Sequence, residues 1–118
     1  MYVIQDKRAM ENGSAVFSLV FRDEANQPVT PKTMKWTLCD QDGAVVNNRE
    51  DETGLTLEPT TKLLLYGDDL AIFNDTEDGF RVVIFTGTYD SDLGNDIPLV
   101  DQFGFYIERL AKSKNPVL

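Results

Sequence analysis

The chain has 118 residues, with 11 Lys and Arg, 20 Asp and Glu, no His and a formal net charge of −9. This length indicates one domain with a single modest core. The acidity argues against nucleic acid and anionic membranes as partners, because binders of both present basic surfaces. No apolar run is long enough to span a bilayer, and the charged start MYVIQDKRAMENGS does not fit a signal peptide, so we expect cytosolic synthesis without export.

The residues that are missing limit the chemistry. Without His, the Ser-His-Asp and Cys-His arrangements and His-ligated zinc are excluded. The single cysteine, Cys39, excludes an internal disulfide and a thiolate metal cage. No glycine-rich phosphate-binding motif occurs, and the spacing of the carboxylates singles out no acid-base pair. We therefore expect no enzymatic activity, no catalytic residue and no bound cofactor.

The first half of the chain predicts strands. Ser14–Arg22 alternates with period two, and its inward positions are Ala15, Phe17, Leu19 and Phe21. The following segment DEANQP ends that strand, since Pro28 and Pro31 are unsuited to the inside of a ladder. Met34–Leu38 alternates again and places Met34, Trp36 and Leu38 inward. Trp36 is expected to fill the middle of the core from a central strand.

Short elements are predicted for the middle of the chain. Ala44–Asn47 reads as a short strand, and Leu55 with Leu57 marks another that Pro59 ends. Lys62–Tyr66 is predicted as a further strand. Gly67–Leu70 fits a turn or a single helical turn, because Asp side chains accept bonds from free backbone N–H groups.

The last part of the chain contains the strongest strand signals. Phe80–Tyr89 is the most β-prone run, Ser91–Pro98 is predicted as a loop, and Leu99–Arg109 forms the last strand. Phe103, Phe105 and Ile107 share one face of that strand. The termini, about 1–11 and 110–118, are expected to be loose.

These elements amount to seven or eight short strands at a spacing of roughly 8–12 residues. They must bury their faces sheet against sheet, since no strong amphipathic helix is present. The predicted fold is an all-β, immunoglobulin-like or fibronectin-III-like sandwich forming a single domain over residues 1–118. A small β-barrel is the alternative.

The segment DQDG, Asp40–Gly43, allows two interpretations. Its letters resemble the start of a calcium loop, but that pattern requires Gly at the sixth place and Glu at the twelfth. Counted from Asp40, those places hold Val45 and Asp51. A hairpin bend explains the same residues and is the preferred interpretation.

The segment Asp90–Asp96 is the better calcium candidate. Its oxygen ligands would come from Asp90, Asp92, Asn95 and Asp96. An ordinary solvated loop uses the same residue types, so no metal is assigned here, and calcium remains only a candidate ligand. The acidic runs Glu50–Glu52 and Asp75–Asp78 are interpreted as solvated charge.

Two other features could bind a partner. Tyr66, Tyr89 and Tyr106 could offer stacking surfaces, or could bury their rings with the hydroxyl at the rim. The strand Leu99–Arg109 could be an open edge that pairs with a neighbouring strand. It could equally be a central strand with a bulge at Gly104.

Most of the chain, from about Ser14 to Ile107, resembles small Ig-like virion proteins of tailed bacteriophages. Four segments carry the resemblance: FRDEANQPVTP (Phe21–Pro31), WTLCDQDGAVVN (Trp36–Asn47), GDDL (Gly67–Leu70) and GTYDS (Gly87–Ser91). The likeness has one departure, because Ala25-Asn-Gln (Ala25–Gln27) stands where the first turn usually has a glycine. These are mainly turn and core residues.

The resemblance implies a non-catalytic structural component of a virion: a capsid decoration, a head–tail connector accessory or a tail- or fibre-associated protein. Its partners would be other virion proteins, and a homo-oligomer could follow from the symmetry of the particle. It would be made in the host cytoplasm. The basic termini, with Lys7, Arg8, Arg109, Lys112 and Lys114, could be docking arms or simply frayed ends. The alternative function is a surface adhesion module that binds host carbohydrate, with or without calcium.

Overall fold

The computed structural model describes residues 1–74 and 77–111, which form seven strands and one short helix. The strands are β1 (Tyr2–Gln5), β2 (Ser14–Arg22), β3 (Pro28–Val29), β4 (Thr33–Asp40), β5 (Thr61–Tyr66), β6 (Phe80–Ser91) and β7 (Gly94–Tyr106). The helix is a 3₁₀ turn, Gly67–Leu70, directly after β5. None of the helical structure in this described part is long and apolar enough to cross a membrane.

Two antiparallel sheets form the predicted sandwich. In the first sheet β2 pairs with β1, β3 and β5, and in the second β6 lies between β4 and β7. The first sheet thus has four strands and the second has three, which confirms the predicted all-β sandwich.

The core lies between the sheets and is built by the alternating residues of the strands. Ala15, Phe17, Leu19 and Phe21 are buried as predicted, and so are Met34, Trp36 and Leu38. The Phe17 ring contacts Phe103 and Phe105 at centroid distances of 4.9 and 5.0 Å. Because the chain has a single cysteine, packing must hold the sheets together, at roughly 1.5–3 kcal/mol per fully buried large apolar side chain.

The segment between β4 and β5 differs from its prediction. Neither Ala44–Asn47 nor the region around Leu55 and Leu57 forms a strand. The segment attaches to β4 by separate backbone bonds, which include Val46 N–H to the Leu38 carbonyl at 2.9 Å. Positive φ angles interrupt any regular ladder there, as at Asn47, Asn48 and Asp51. Leu55 and Leu57 instead pack singly against the core.

The predicted loop Ser91–Pro98 was also wrong. β6 continues to Ser91 and β7 begins at Gly94, so a two-residue turn joins them as a hairpin. Pro98 lies inside β7, and Pro28 lies inside the short strand β3 beside Arg22. Pro98 has no N–H group, but its nitrogen faces the open edge of β7, where no neighbouring strand would accept a hydrogen bond from it.

Two positional expectations need correction as well. Residues 1–11 were expected to be loose, yet they contain β1 and the buried Ala9. Trp36 is buried, but β4 is a border strand of its sheet and β6 is the central one. The expected loose C-terminal segment, about 110–118, lies outside the described residues from Lys112 onward.

Candidate interaction surface

The segment Asp40–Gly43 is a turn whose acidic side chain serves the backbone. Asp40 Oδ1 accepts hydrogen bonds from the N–H groups of Asp42 and Ala44, at 2.9 and 3.0 Å. Gly43 has a φ of 87°, which favours glycine. The segment is therefore a bend, as the preferred interpretation held, but the expected second strand of the hairpin is reduced to an isolated bridge between Cys39 and Val45. Val46 re-enters the core, whereas Val45 is exposed.

The calcium candidate Asp90–Asp96 is arranged around a lysine. Lys32 Nζ lies 2.8 Å from Asp96 Oδ1 and 3.5 Å from Asp90 Oδ2. These carboxylates raise the pKa of the Lys32 ammonium, first through the hydrogen bond to Asp96. Asp92 lies in the two-residue hairpin turn, and Asn95 is exposed on β7. Across residues 1–74 and 77–111, no three Asp, Glu or Cys side chains come together as a metal site.

In the two acidic runs, some carboxylates are exposed to solvent and others form ion pairs with arginines. Glu52 accepts a bond from Arg49 at 3.2 Å, while Glu50 and Asp51 are exposed. In the second run Glu77 pairs with Arg81, and residues 75 and 76 lie outside the described part of the chain.

A buried ion pair that the sequence did not predict joins the β4–β5 segment to the 3₁₀ turn. Arg49 donates from Nε to Asp69 Oδ1 at 2.8 Å and from Nη2 to Oδ2 at 3.2 Å. Asn47 Nδ2 and the Tyr66 N–H complete the set at 2.9 and 3.1 Å. The Arg49 guanidinium also lies 5.5 Å from the centre of the Trp36 ring and 5.8 Å from that of Tyr66.

These contacts keep Asp69 ionised although its side chain is inaccessible. Burial alone raises the pKa of Asp69, but the hydrogen bonds from Arg49, Asn47 and Tyr66 outweigh it and hold that pKa below its ordinary value. The hydrogen bond to Asp69 in turn raises the pKa of Arg49. An open groove of about 570 Å³ adjoins this pair. Because the pair satisfies its own charges, the cluster is a structural brace and offers the groove no free ion.

A second inward-facing arginine closes one end of the sandwich. The Arg81 side chain is 1% exposed and pairs with Glu77. Its Nη1 and Nη2 donate to the carbonyls of Phe80 and Ala71 at 2.8 and 2.9 Å. The Phe73 ring covers the guanidinium at 5.3 Å. Within the described residues, the Arg81 Nε has no hydrogen-bond partner.

The three candidate tyrosines occupy different environments. Tyr89 is buried and donates from its hydroxyl to Glu24 at 3.3 Å, so it offers no stacking surface. Tyr66 is exposed beside Arg49, and Tyr106 is exposed beside Phe80, with ring centres 4.9 Å apart. The rings are thus not gathered into one platform.

The basic termini also make contacts within the domain. Arg8 pairs with Glu108, and Lys7 donates to Ser14 at 3.0 Å. Arg109 donates to the carbonyls of Asn74 and Glu77 at 2.6 and 2.5 Å. Lys112 and Lys114 lie outside the described residues.

Away from the β6–β7 turn, the outward-facing side of the β4-β6-β7 sheet carries few charged side chains. We call it the outer face; it comprises Thr33, Lys35, Thr37, Phe80, Val82, Ile84, Thr86, Thr88, Pro98, Val100, Gln102, Gly104 and Tyr106. This set contains one lysine and no carboxylate, in a chain with 20 Asp and Glu. The next outward position of β6, at the end near the β6–β7 turn, holds the exposed Asp90, which pairs with Lys32. Val100 and Tyr106 are 67% and 60% exposed. The corresponding side of the β1-β2-β5 sheet carries an Asp6–Lys62 pair at 3.3 Å.

The last strand proves to be a border strand, which resolves the alternatives left open for Leu99–Arg109. β7 pairs with β6 alone along its length, and the irregularity in their ladder lies between Tyr89 and Ser91. Gly104 has a different role from the bulge considered for it. A Cβ there would lie 2.3 Å from the tip of the Phe80 ring, so glycine leaves room for that ring.

Comparison of the chain with protein-family models, curated proteins and solved structures found no match.

Proposed function

We propose that this protein is a non-catalytic structural component of a tailed-phage virion that acts through protein–protein contacts. Two things support the proposal. The first is the resemblance of Phe21–Pro31, Trp36–Asn47, Gly67–Leu70 and Gly87–Ser91 to phage Ig-like proteins. The second, which carries it, is the outer face, because in an acidic chain this surface carries no carboxylate until Asp90 at the turn end of β6.

The charge distribution favours a surface that docks over one that performs chemistry. In the described part of the chain, each carboxylate whose pKa is lowered has a partner: Asp69 with Arg49, Asp6 with Ser18 and Lys62, and Glu108 with Arg8. An uncharged face loses little hydration free energy when a partner covers it. Repetition of such a face by particle symmetry would convert modest contacts into stable attachment.

Quantitative mass spectrometry of purified particles tests this function. A structural component should be present at a fixed copy number per particle that matches a symmetry of the head, connector or tail. A Thr86→Glu variant, with a carboxylate in the middle of the outer face, should be incorporated less than wild type. Thr60→Glu, which makes the same change at an exposed position before β5, is the matched control. A copy number near zero in particles would overturn the proposal.

The adhesion alternative receives no specific support from the site. The Lys32 ammonium lies between Asp90 and Asp96, where a calcium-assisted module would need a metal. A glycan array, run with and without chelator, separates the two functions, since binding that chelator weakens would favour adhesion.

A further inference from the structure

We propose that two copies of this chain pair along the open edge of β7, antiparallel and about a twofold axis at Gln102, so that their sheets become continuous. The proposal does not depend on whether the protein belongs to a virion. It rests on the backbone groups, charge and shape of this edge.

The pairing pattern identifies which backbone groups point outward. Phe80 is opposite Tyr106, and the Ile107 N–H donates to the Gly79 carbonyl at 2.9 Å. In an antiparallel ladder this makes 80–106 a non-hydrogen-bonded pair, so the backbone groups of Tyr106 point away from β6. The same holds at every second residue before it: Gly104, Gln102, Val100 and Pro98. Pro98 has no N–H group. Of the other four N–H groups, only that of Gln102 has a partner within the described residues, the Oδ1 atom of its neighbour Asp101 at 2.8 Å.

The open part of this edge has a centre. At one end, the Glu108 N–H donates to the Ala9 carbonyl at 2.7 Å and the Glu108 carbonyl accepts from Glu11. At the other end, Pro98 has no N–H to give. The open stretch therefore runs from Pro98 to Tyr106, and its midpoint is Gln102.

A twofold axis at that midpoint places complementary groups opposite each other. Val100 faces Gly104 of the second copy, and the two residues can exchange N–H···O bonds in both directions. The N–H of Tyr106 reaches the carbonyl of Pro98, whose missing N–H is not needed there. The Phe80 ring lies over Gly104, and the exposed Val100 of the second copy, opposite Gly104, would pack against the edge of that ring.

Charge selects a second copy as the occupant. Chains with a net charge of −9 repel each other over most approaches. The outward side chains of Pro98–Tyr106 carry no charge, and the nearby Asp101 carboxylate is 2.9 Å from the Met1 ammonium. Native edges are commonly protected by a charged side chain, and this edge lacks that protection. Two copies can therefore meet here without opposing carboxylates.

Charge variants at the axis test the proposal directly. By sedimentation velocity over a concentration series, the wild type should approach twice its 13.3 kDa mass at high concentration and return to 13.3 kDa on dilution. Gln102→Glu and Gln102→Lys each oppose like charges across the axis, and each should weaken self-association about tenfold. An equimolar mixture of the two should recover the dimer. Thr86→Glu and Thr86→Lys place the same charges on the neighbouring strand β6, on the same face of the sheet. These two variants should self-associate as the wild type does.

Disulfide trapping provides the geometric test. A hydrogen-bonded antiparallel pair has Cα atoms about 5.5 Å apart, within the range that a disulfide spans. Gln102→Cys should therefore oxidise to a covalent dimer faster than Thr86→Cys, while buried Cys39 stays reduced. Circular dichroism and thermal midpoints check that every variant is folded. A wild type that stays monomeric throughout, Thr86 variants that weaken association more than Gln102 variants do, or equal oxidation rates would each overturn the proposal.

Discussion

Arg49 and Asp69 form a two-bonded ion pair, at 2.8 and 3.2 Å, that fastens the irregular segment after β4 to the turn after β5. The Asp69 side chain is fully inaccessible and that of Arg49 is 25% exposed. The segment between β4 and β5 forms no strand and is attached to β4 by separate backbone bonds. The pair therefore supplies order that the sheets do not.

Removing one partner should destabilise the domain strongly. We expect Arg49→Ala to lower the free energy of unfolding by about 3 kcal/mol, because it leaves the buried Asp69 carboxylate without its cation. Urea denaturation measures the change. Arg8→Ala is the matched control, since Arg8 belongs to an exposed pair with Glu108 and its loss should change little. If the two substitutions lowered the free energy of unfolding equally, the stabilising role of the Arg49–Asp69 pair would be contradicted.

Acid should weaken the domain partly through Asp69. The pKa of this carboxyl is lower in the folded state than the unfolded value of about 3.9. Its contribution is therefore complete above the unfolded pKa and is lost as pH falls through the folded one. Asp69→Asn should be less stable than wild type at neutral pH, and the gap should narrow below about pH 4. Urea midpoints of both proteins across this range, with Asp42→Asn as an exposed control, provide the test; a constant gap would contradict it.

Gly87 should tolerate no side chain. A Cβ at this position would lie 2.1 Å from the backbone carbonyl oxygen of Thr33, inside the β4–β6 ladder. Gly87→Ala should therefore cost about 3 kcal/mol of stability or prevent folding, because a backbone atom cannot rotate away. Gly94→Ala is the control, since the nearest atom to its Cβ would be 3.9 Å away in the flexible Ile97 side chain. Thermal melts compare them, and a near-native midpoint for Gly87→Ala would contradict this packing.

Calcium should not stabilise the protein. The carboxylates of Asp90 and Asp96 already share the Lys32 ammonium, and a metal would have to displace it. We expect the thermal midpoint to stay constant as calcium is raised to about 5 mM, well into the range where weak extracellular sites fill. Magnesium at equal ionic strength is the control. A rise specific to calcium would restore the metal interpretation of this loop.

The sequence by itself determined the local features of this protein. The alternation in Ser14–Arg22 and Met34–Leu38 sets which side chains face inward, because successive residues of a strand point to opposite sides. Asp40–Gly43 turns the chain with bonds that begin and end within five residues. The sandwich class follows from many such strands with no helix to cover them.

Only the tertiary structure decided which residues that are distant in the sequence come into contact. Arg49 meets Asp69 and Lys32 meets Asp96 across sequence separations of 20 and 64, and no local pattern encodes either contact. The same limit applies to β7, since a strand with one open edge and a strand with two neighbours share the same alternation. The neighbours of a strand are chosen by how whole sheets pack, and that choice left the edge from Pro98 to Tyr106 uncovered.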